Sequence, residues 1–219
     1  MRAAVEMRRK SLPPDHPDMM QAEYNYASAL EQNGQVAAAE PVFRELLASY
    51  RRVEGPQHVD TLTAEQGVAN NLLRQGRYPE AMTMALEAAQ GLSAVAGEEH
   101  QWTQTAWGVY GVAACLSGHG EEGLKALRRV AELRRSGADA TDWRKQITDV
   151  KLGTCLVALH RYEEAEPLLL STVASLEAGR GARYVSTQDA YRALHDLYAA
   201  LGRPQESAKW QSKMLSAGP

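Results

Sequence analysis

Three histidines in this chain of 219 residues have a spacing that could suggest a metal site. His16, His58 and His100 follow one another at intervals of 42 residues. A zinc ion needs its ligands to converge at about 2 Å from one point, whereas residues that recur once per segment lie on successive segments. We therefore predict that the histidines belong to linkers between repeated segments, and that the chain holds no metal and no other cofactor.

The other residues that could perform chemistry do not form a catalytic pattern. Cys115 and Cys155 have neither CxxC spacing nor a neighbouring base that would activate a thiolate. We predict two free buried thiols, as suits a reducing compartment. Acidic doublets fall at linkers or in the first turns of predicted helices, where they complement the helix dipole. These doublets are Glu98-Glu99, Glu121-Glu122 and Glu163-Glu164. Because a glycine-rich phosphate-binding loop is also missing from the sequence, we predict a protein that is not an enzyme.

The elements that carry these residues follow one pattern, which recurs five times. Predicted tight turns have their centres 42 residues apart, at Gly34, Gly76, Gly118, His160 and Gly202. A small residue follows each centre by five positions, and in four of the five repeats another small residue precedes it by seven. Small residues at two fixed positions let two paired helices approach closely. A constant period of this length is typical of stacked helical repeats.

Each repeat is predicted to contain a first helix, the tight turn, a second helix and a linker. The first helices are predicted near 18–32, 60–74, 103–117, 143–158 and 186–200, and the second helices near 36–53, 78–95, 120–136, 162–178 and 204–216. The repeats span 13–54, 55–96, 97–138, 139–180 and 181–219, after the second half of a helix at 1–12. The predicted N-caps of the first helices are Asp18, Asp60, Thr103, Asp142 and Ser186.

These residues resemble the tetratricopeptide repeat family over essentially the whole chain. The family pattern of large and small positions is present as Tyr26, Ala27, Leu30, Ala39 and Phe43 in the first repeat, and as Trp107, Tyr110, Gly111 and Ala114 in the third. The 42-residue period is longer than the usual period of the family. This period and the Asp-His-Pro-Asp-like linkers resemble the kinesin light chain variant, which is common in bacterial multidomain proteins. The resemblance implies an all-α, right-handed α-solenoid of stacked hairpins, with the first helices on its concave wall.

The resemblance also implies a groove for an extended or helical peptide. The family's register, counted from the turn glycine, gives the candidate groove residues Tyr24, Ser28, Gln66, Asn70, Val112, Val150, Thr154, Arg192 and Asp196. The predicted groove is polar at one end, apolar in the middle and charged at the other. A register error of one residue would make Val112 and Val150 part of the core, and this alternative stays open.

The sequence departs from the asparagine ladder that kinesin light chains use to hold a peptide backbone. Asn25 occupies a matching position, but the equivalent residues in the later repeats are Gly67, Val109, Lys151 and Ala193. The peptide preference of that family therefore does not carry over to this chain. The basic pair with which chaperone-type repeats hold a terminal carboxylate is not evident either.

Composition limits the choice of partner. The formal net charge of −3 gives no footprint for nucleic acid or anionic lipid, and no window approaches 18 apolar residues. We predict a cytoplasmic protein that binds a protein or peptide, and neither nucleic acid nor a membrane. Two other hypotheses stay open: the C-terminal regulatory region of a bacterial multidomain signalling enzyme such as a serine/threonine kinase, and a self-associating structural adaptor.

Because the sequence starts inside a predicted repeat and ends without a polar capping helix, we expect a fragment of a longer protein or self-association through uncapped ends.

Overall fold

The structure, a computed structural model, describes residues 11–13, 15–137 and 143–216. Within these ranges it contains ten α-helices and no strand. The helices are α1 Pro17–Gln32, α2 Val36–Val53, α3 Val59–Arg74, α4 Tyr78–Ala96, α5 Gln101–Leu116, α6 Gly120–Gly137, α7 Trp143–Ala158, α8 Tyr162–Arg180, α9 Val185–Ala200 and α10 Pro204–Ser216. Each predicted helix is present with ends within two residues of the prediction. None of these described helices combines the length and apolar character that a membrane crossing requires.

The tight turns form because one residue in each adopts a left-handed backbone conformation. The turn centres have φ angles of 74° at Gly34, 78° at Gly76, 91° at Gly118, 58° at His160 and 66° at Gly202. The amide of the next residue closes the preceding helix, as in the bond of 3.0 Å from Arg77 N to Leu72 O. His160 takes this conformation without being glycine, and its Nδ1 lies 2.5 Å from the hydroxyl of Tyr162.

Gly202→Ala is expected to lower the free energy of unfolding by about 1–2 kcal/mol, because a Cβ disfavours the left-handed region. No neighbouring atom lies within 4 Å of the added Cβ, so the backbone alone causes the loss. Gly179→Ala is the matched control, since Gly179 lies in α8 with equally open surroundings and an ordinary helical φ. This variant is expected to gain up to about 1 kcal/mol. Urea unfolding of both variants checks the prediction, and an equal effect of the two would contradict it.

Two of the three histidines spaced 42 residues apart are helix caps. His16 and His58 are the N-caps of α1 and α3, and their Nδ1 atoms accept hydrogen bonds of 3.2 Å from Asp18 N and 3.3 Å from Asp60 N. The prediction that the two aspartates are the caps is wrong. Both helices begin one residue before them, so each carboxylate lies in the first turn. Thr103 and Ser186 likewise lie inside α5 and α9, whereas residues 1–10 of the predicted half-unit and the predicted cap Asp142 lie outside the described residues.

The two cysteines are paired, so the prediction of free thiols is wrong. A disulfide joins Cys115 at the end of α5 to Cys155 in α7, with the two Cα atoms 5.3 Å apart. The residues are separated by 40 positions, slightly less than one repeat period. Glu31 and Asn71 have the same separation, and there Asn71 Nδ2 donates a hydrogen bond of 2.7 Å to Glu31 Oε1. The disulfide therefore occupies a recurring contact between the first helices of successive repeats.

The chain divides into two compact units, residues 1–113 and 114–219. In the first unit α2 packs between α1 and α3, and α3 packs on α4. Its main apolar cluster includes Phe43, Leu47, Val68 and Leu72. The equivalents of Phe43 in the third and fourth repeats, Leu127 and Leu169, are buried as well, because the 42-residue period repeats the apolar faces.

In the second unit α7 contacts α6, α8 and α9, and α9 packs on α8 and α10. The hairpin of α7 and α8 is closely packed at Gly153. A Cβ at this position would lie 2.6 Å from Cγ of the buried Leu169, which is closer than atoms can pack. The predicted role of small residues in the helix pairs is therefore visible at Gly153.

Candidate peptide-binding surface

Polar pairs 14 residues apart join the second helix of one repeat to the first helix of the next. Arg51 Nη2 lies 2.8 Å from Glu65 Oε1. Trp107 Nε1 donates to Ser93 Oγ at 3.0 Å, and the Tyr191 hydroxyl donates to a carboxylate oxygen of Glu177. The residue types of the pair differ between repeats, but the two positions that form it are the same. These pairs fix the orientation of the first helices, which carry all of the predicted groove residues.

Glu65→Gln is expected either to leave the free energy of unfolding at neutral pH unchanged or to raise it. Burial raises the pKa of the Glu65 carboxyl above its ordinary value, and the nearby Arg51 offsets only part of this rise. Ionisation of Glu65 is therefore disfavoured in the folded state. The wild type should lose stability relative to the variant as the pH rises from about 4.3, the ordinary glutamate pKa, to the raised folded-state value. Denaturant unfolding of both proteins at about pH 4 and pH 7 checks this, and the opposite trend would contradict it.

A buried network of amides and carboxylates fixes α3 against α1 and α2. Asn71 Nδ2 donates to Glu31 Oε1 at 2.7 Å and to Val36 O at 2.9 Å. Gln75 Nε2 donates to Asn71 Oδ1 and to Glu40 Oε2, at 2.7 and 2.8 Å. The network was not foreseen from the sequence. The one sign of this network in the sequence is a set of polar residues 35 to 40 positions apart, which is the separation of residues in contact between successive repeats.

An adjacent face of α3 carries polar side chains that have no hydrogen-bond partner among the residues that the structure describes. Gln66 and Asn70 are four residues apart on one side of the helix. Gln66 is only 7% exposed and Asn70 is partly exposed. In the part of the chain that the structure describes, neither carboxamide makes a hydrogen bond. Thr63 precedes Gln66 by three residues, and its hydroxyl is buried without a partner. We name these three residues the α3 polar face.

The polar face has a chemical consequence, because an amide or hydroxyl that is withdrawn from water without a hydrogen bond costs free energy. The neighbouring Asn71 avoids this cost through its network, whereas the buried hydroxyl of Thr63 does not. Each free carboxamide offers an N–H donor and a C=O acceptor. Those are the two groups that a peptide backbone presents in turn.

Two other predicted groove residues lie together on α1 but already have partners in the protein. Tyr24 packs edge to face against Phe43, with ring centroids 6.2 Å apart. Burial raises the pKa of the Tyr24 hydroxyl, and a hydrogen bond with Ser28 opposes the rise. Both side chains are half-buried. They therefore border the core of the first unit more than they face solvent.

The predicted residues of the second unit differ in exposure. Thr154 of α7 is half-buried, and its hydroxyl donates to Val150 O of its own helix at 2.9 Å. Arg192 and Asp196 are exposed and stand four residues apart on α9. An oxygen of Asp189 lies 3.6 Å from Arg192 Nη1. The charges of Arg192 and Asp196 are thus accessible to solvent, and their role in binding stays a prediction.

The two valines are core residues. Val112 is 6% exposed and Val150 is 3% exposed. Their assignment to an exposed apolar patch is therefore corrected to the core alternative. Burying a valine side chain stabilises the fold by about 1.5–3 kcal/mol, which explains why apolar residues at these repeat positions turn inward.

The hairpins and their regular contacts define an all-α helical repeat fold, and the comparisons with known proteins agree with it. Residues 18–94 match the model of the tetratricopeptide repeat family, so this segment consists of tetratricopeptide repeats. No curated protein matches the sequence of the chain.

Solved structures of the same fold class resemble nearly the whole chain at low sequence identity. The putative kinesin light chain TPR-like repeats of Podosopora anserina align with a TM-score of 0.63 and 19% identity, covering 92% of this chain and 96% of that one. BtubC (BKLC) from P. vanneervenii gives 0.64 and 16%, with coverage of 97% and 86%. A Rap protein complexed with Competence and Sporulation Factor gives 0.78 and 14%, covering 98% of this chain and 57% of that one. These similarities show an all-α helical repeat fold of the kind seen in these structures.

Proposed function

We propose that this chain is a protein-interaction module that binds a peptide or an extended protein segment across the α3 polar face. One observation carries the proposal: Gln66 and Asn70 stand four residues apart on one side of α3, and neither carboxamide has a hydrogen-bond partner among the described residues. A peptide backbone would satisfy both amides, and Thr63 Oγ1 would gain a partner as well. The bound segment would recover the free energy that the buried Thr63 hydroxyl loses in the free protein.

The surroundings of the face favour a backbone contact over recognition of charge. Asn71 beside it is held by Glu31 and the Val36 carbonyl, so the helix that presents the face is fixed before a ligand arrives. A site fixed in advance loses less conformational entropy on binding. The solved Rap structure was obtained in complex with Competence and Sporulation Factor, which supports binding as a use of this fold class. We infer a scaffold or regulatory role, without catalysis by this chain.

A selection with random-peptide display tests the proposal. The wild type would be compared with Gln66→Ala/Asn70→Ala and with a control, Thr83→Ala/Gln90→Ala, which changes exposed residues of α4. Circular dichroism would establish that all three proteins are folded. We expect peptides to be enriched on the wild type and the control, and to be lost on the α3 variant. Enrichment on all three proteins would place binding elsewhere, and no enrichment on any of them would refute peptide binding.

A further inference from the structure

The contact between α6 and α7 carries a buried arginine at a position that is leucine in two neighbouring repeats. Arg134 of α6 is 9% exposed and occupies the position of Leu92 and Leu176 in neighbouring repeats. Its Nη1 donates to Arg144 O at 2.7 Å and to Thr148 Oγ1 at 2.6 Å. Thr148 itself stands where Ala64, Ala106 and Ala190 stand elsewhere. An apolar contact between two helices has here been replaced by a polar one.

Two further groups of α7 are poorly compensated in this contact. Lys151 is half-buried at the position of Gly67, Val109 and Ala193, and within the described residues its ammonium group makes neither a hydrogen bond nor an ion pair. Burial, with the charge of Arg134 adding to it, lowers the pKa of Lys151 to about 8.

Asp149 has a buried carboxylate oxygen without a hydrogen-bond partner, and burial raises its pKa. The charges of Arg135 and Lys145 offset part of this rise. Charged groups that are withdrawn from water and incompletely paired weaken the contact that buries them. The contact between α6 and α7 is therefore the one most easily opened in the second unit.

The disulfide lies beside this weak contact. Cys115 Sγ and Cys155 Sγ lie 3.5 and 4.0 Å from the carbonyl oxygen of Gly120, the first residue of α6. In the first unit Asn71 occupies the position of Cys155 and donates to the equivalent carbonyl, Val36 O. The hydrogen-bonded contact between Glu31 and Asn71 is thus replaced by a covalent bond two repeats later, at one end of the contact that buries Arg134.

We propose that Cys115–Cys155 is a site of reversible thiol oxidation whose bond ties α7 to the end of α5, beside the first residue of α6, so that reduction opens the contact between α6 and α7. The co-reactant is a dithiol reductant. Its thiolate attacks one sulfur and breaks the S–S bond, forming a mixed disulfide, and its second thiol then displaces the other cysteine. Two electrons and two protons pass to the protein, which gains two thiols while the reductant becomes a disulfide. Because both cysteines are buried, attack requires an opening of the contact first.

The test uses the wild-type protein with dithiothreitol as the probe. Alkylation with N-ethylmaleimide under denaturing conditions, followed by intact mass, should show no added group before reduction and two afterwards. Removal of the reductant in air should reverse the change. Hydrogen exchange of the α7 amides should become at least tenfold faster in the reduced protein, while the α3 amides serve as an unchanged reference. The Cys115→Ala/Cys155→Ala variant should behave like the reduced wild type.

Lys151→Val separates the proposed weakness of the contact from a general effect of losing the bond. This variant, which copies Val109, should keep most of the α7 protection after reduction. Lys125→Val, at an exposed position of α6, should not. The proposal is overturned if the protein carries two thiols that air does not oxidise, if dithiothreitol cannot reduce the native bond, or if α7 exchange is unchanged on reduction. An equal effect of the two lysine variants would overturn the assignment of the weak contact.

Discussion

Removing the disulfide with Cys115→Ala/Cys155→Ala is expected to lower the free energy of unfolding by about 3–5 kcal/mol. The bond closes a loop of 40 residues, and without it the unfolded chain regains the conformational entropy of that loop. For a chain of this size the melting temperature should fall by about 8–15 °C. Alanine is used because a serine hydroxyl at the fully buried Cys155 would add a polar group to the core. Calorimetry without reductant measures the effect.

The single variant Cys155→Ala provides the control for this prediction. It also lacks the bond, so it should lose nearly as much stability as the double variant. The wild type in reductant should approach both of them. Equal melting temperatures of the oxidised wild type and the double variant would contradict the prediction.

Phe43→Ala is expected to cost about 3–5 kcal/mol of unfolding free energy, the range for removing a buried phenylalanine ring. Phe43 is the one phenylalanine in the sequence and is 3% exposed. Its ring packs on Gly67 of the next repeat, where an added Cβ would lie 3.6 Å from the ring. Urea unfolding measures the loss.

A double-mutant cycle tests why the ring fits. The equivalent pair in the next repeat is Ala85 and Val109, so the large and small partners are exchanged. Phe43→Ala/Gly67→Val copies that pair and should recover at least about 2 kcal/mol of the loss, a coupling typical of residues in contact. Gly67→Val alone should be destabilising by about 1–3 kcal/mol, since it overpacks the ring. Additive effects would refute complementary packing between the repeats.

The sequence predicts the helices well because the period repeats local signals. Turn residues with left-handed backbones and small residues in the paired helices recur at fixed positions of the repeat. His160 also has a left-handed backbone, although it is not a glycine. The N-caps were predicted wrongly because a histidine side chain can accept the hydrogen bond that is more commonly assigned to aspartate or serine. His16 and Asp18 are so close in sequence that the pattern alone does not choose between them.

Contacts between repeats are less predictable, because the partner residues are 14 or 35 to 40 positions apart and their chemistry changes from repeat to repeat. Glu31 with Asn71 and Cys115 with Cys155 occupy the same place with a hydrogen bond and a covalent bond. The groove positions behave similarly. Asn70 is partly exposed, while Val112 at the equivalent position is buried. The position of a residue relative to the turn predicts the side of the helix on which it lies. The residue type then decides how deeply its side chain is buried.

The most direct test of the α3 polar face is the dissociation constant of a selected peptide, measured by fluorescence anisotropy. Two lost hydrogen bonds of about 0.5–1.5 kcal/mol each predict that Gln66→Ala/Asn70→Ala binds at least about fivefold more weakly than the wild type. The control variant Thr83→Ala/Gln90→Ala should bind like the wild type. Equal affinity of the wild type and the α3 variant, with both proteins folded, would show that the peptide does not use this face and would contradict the proposed function.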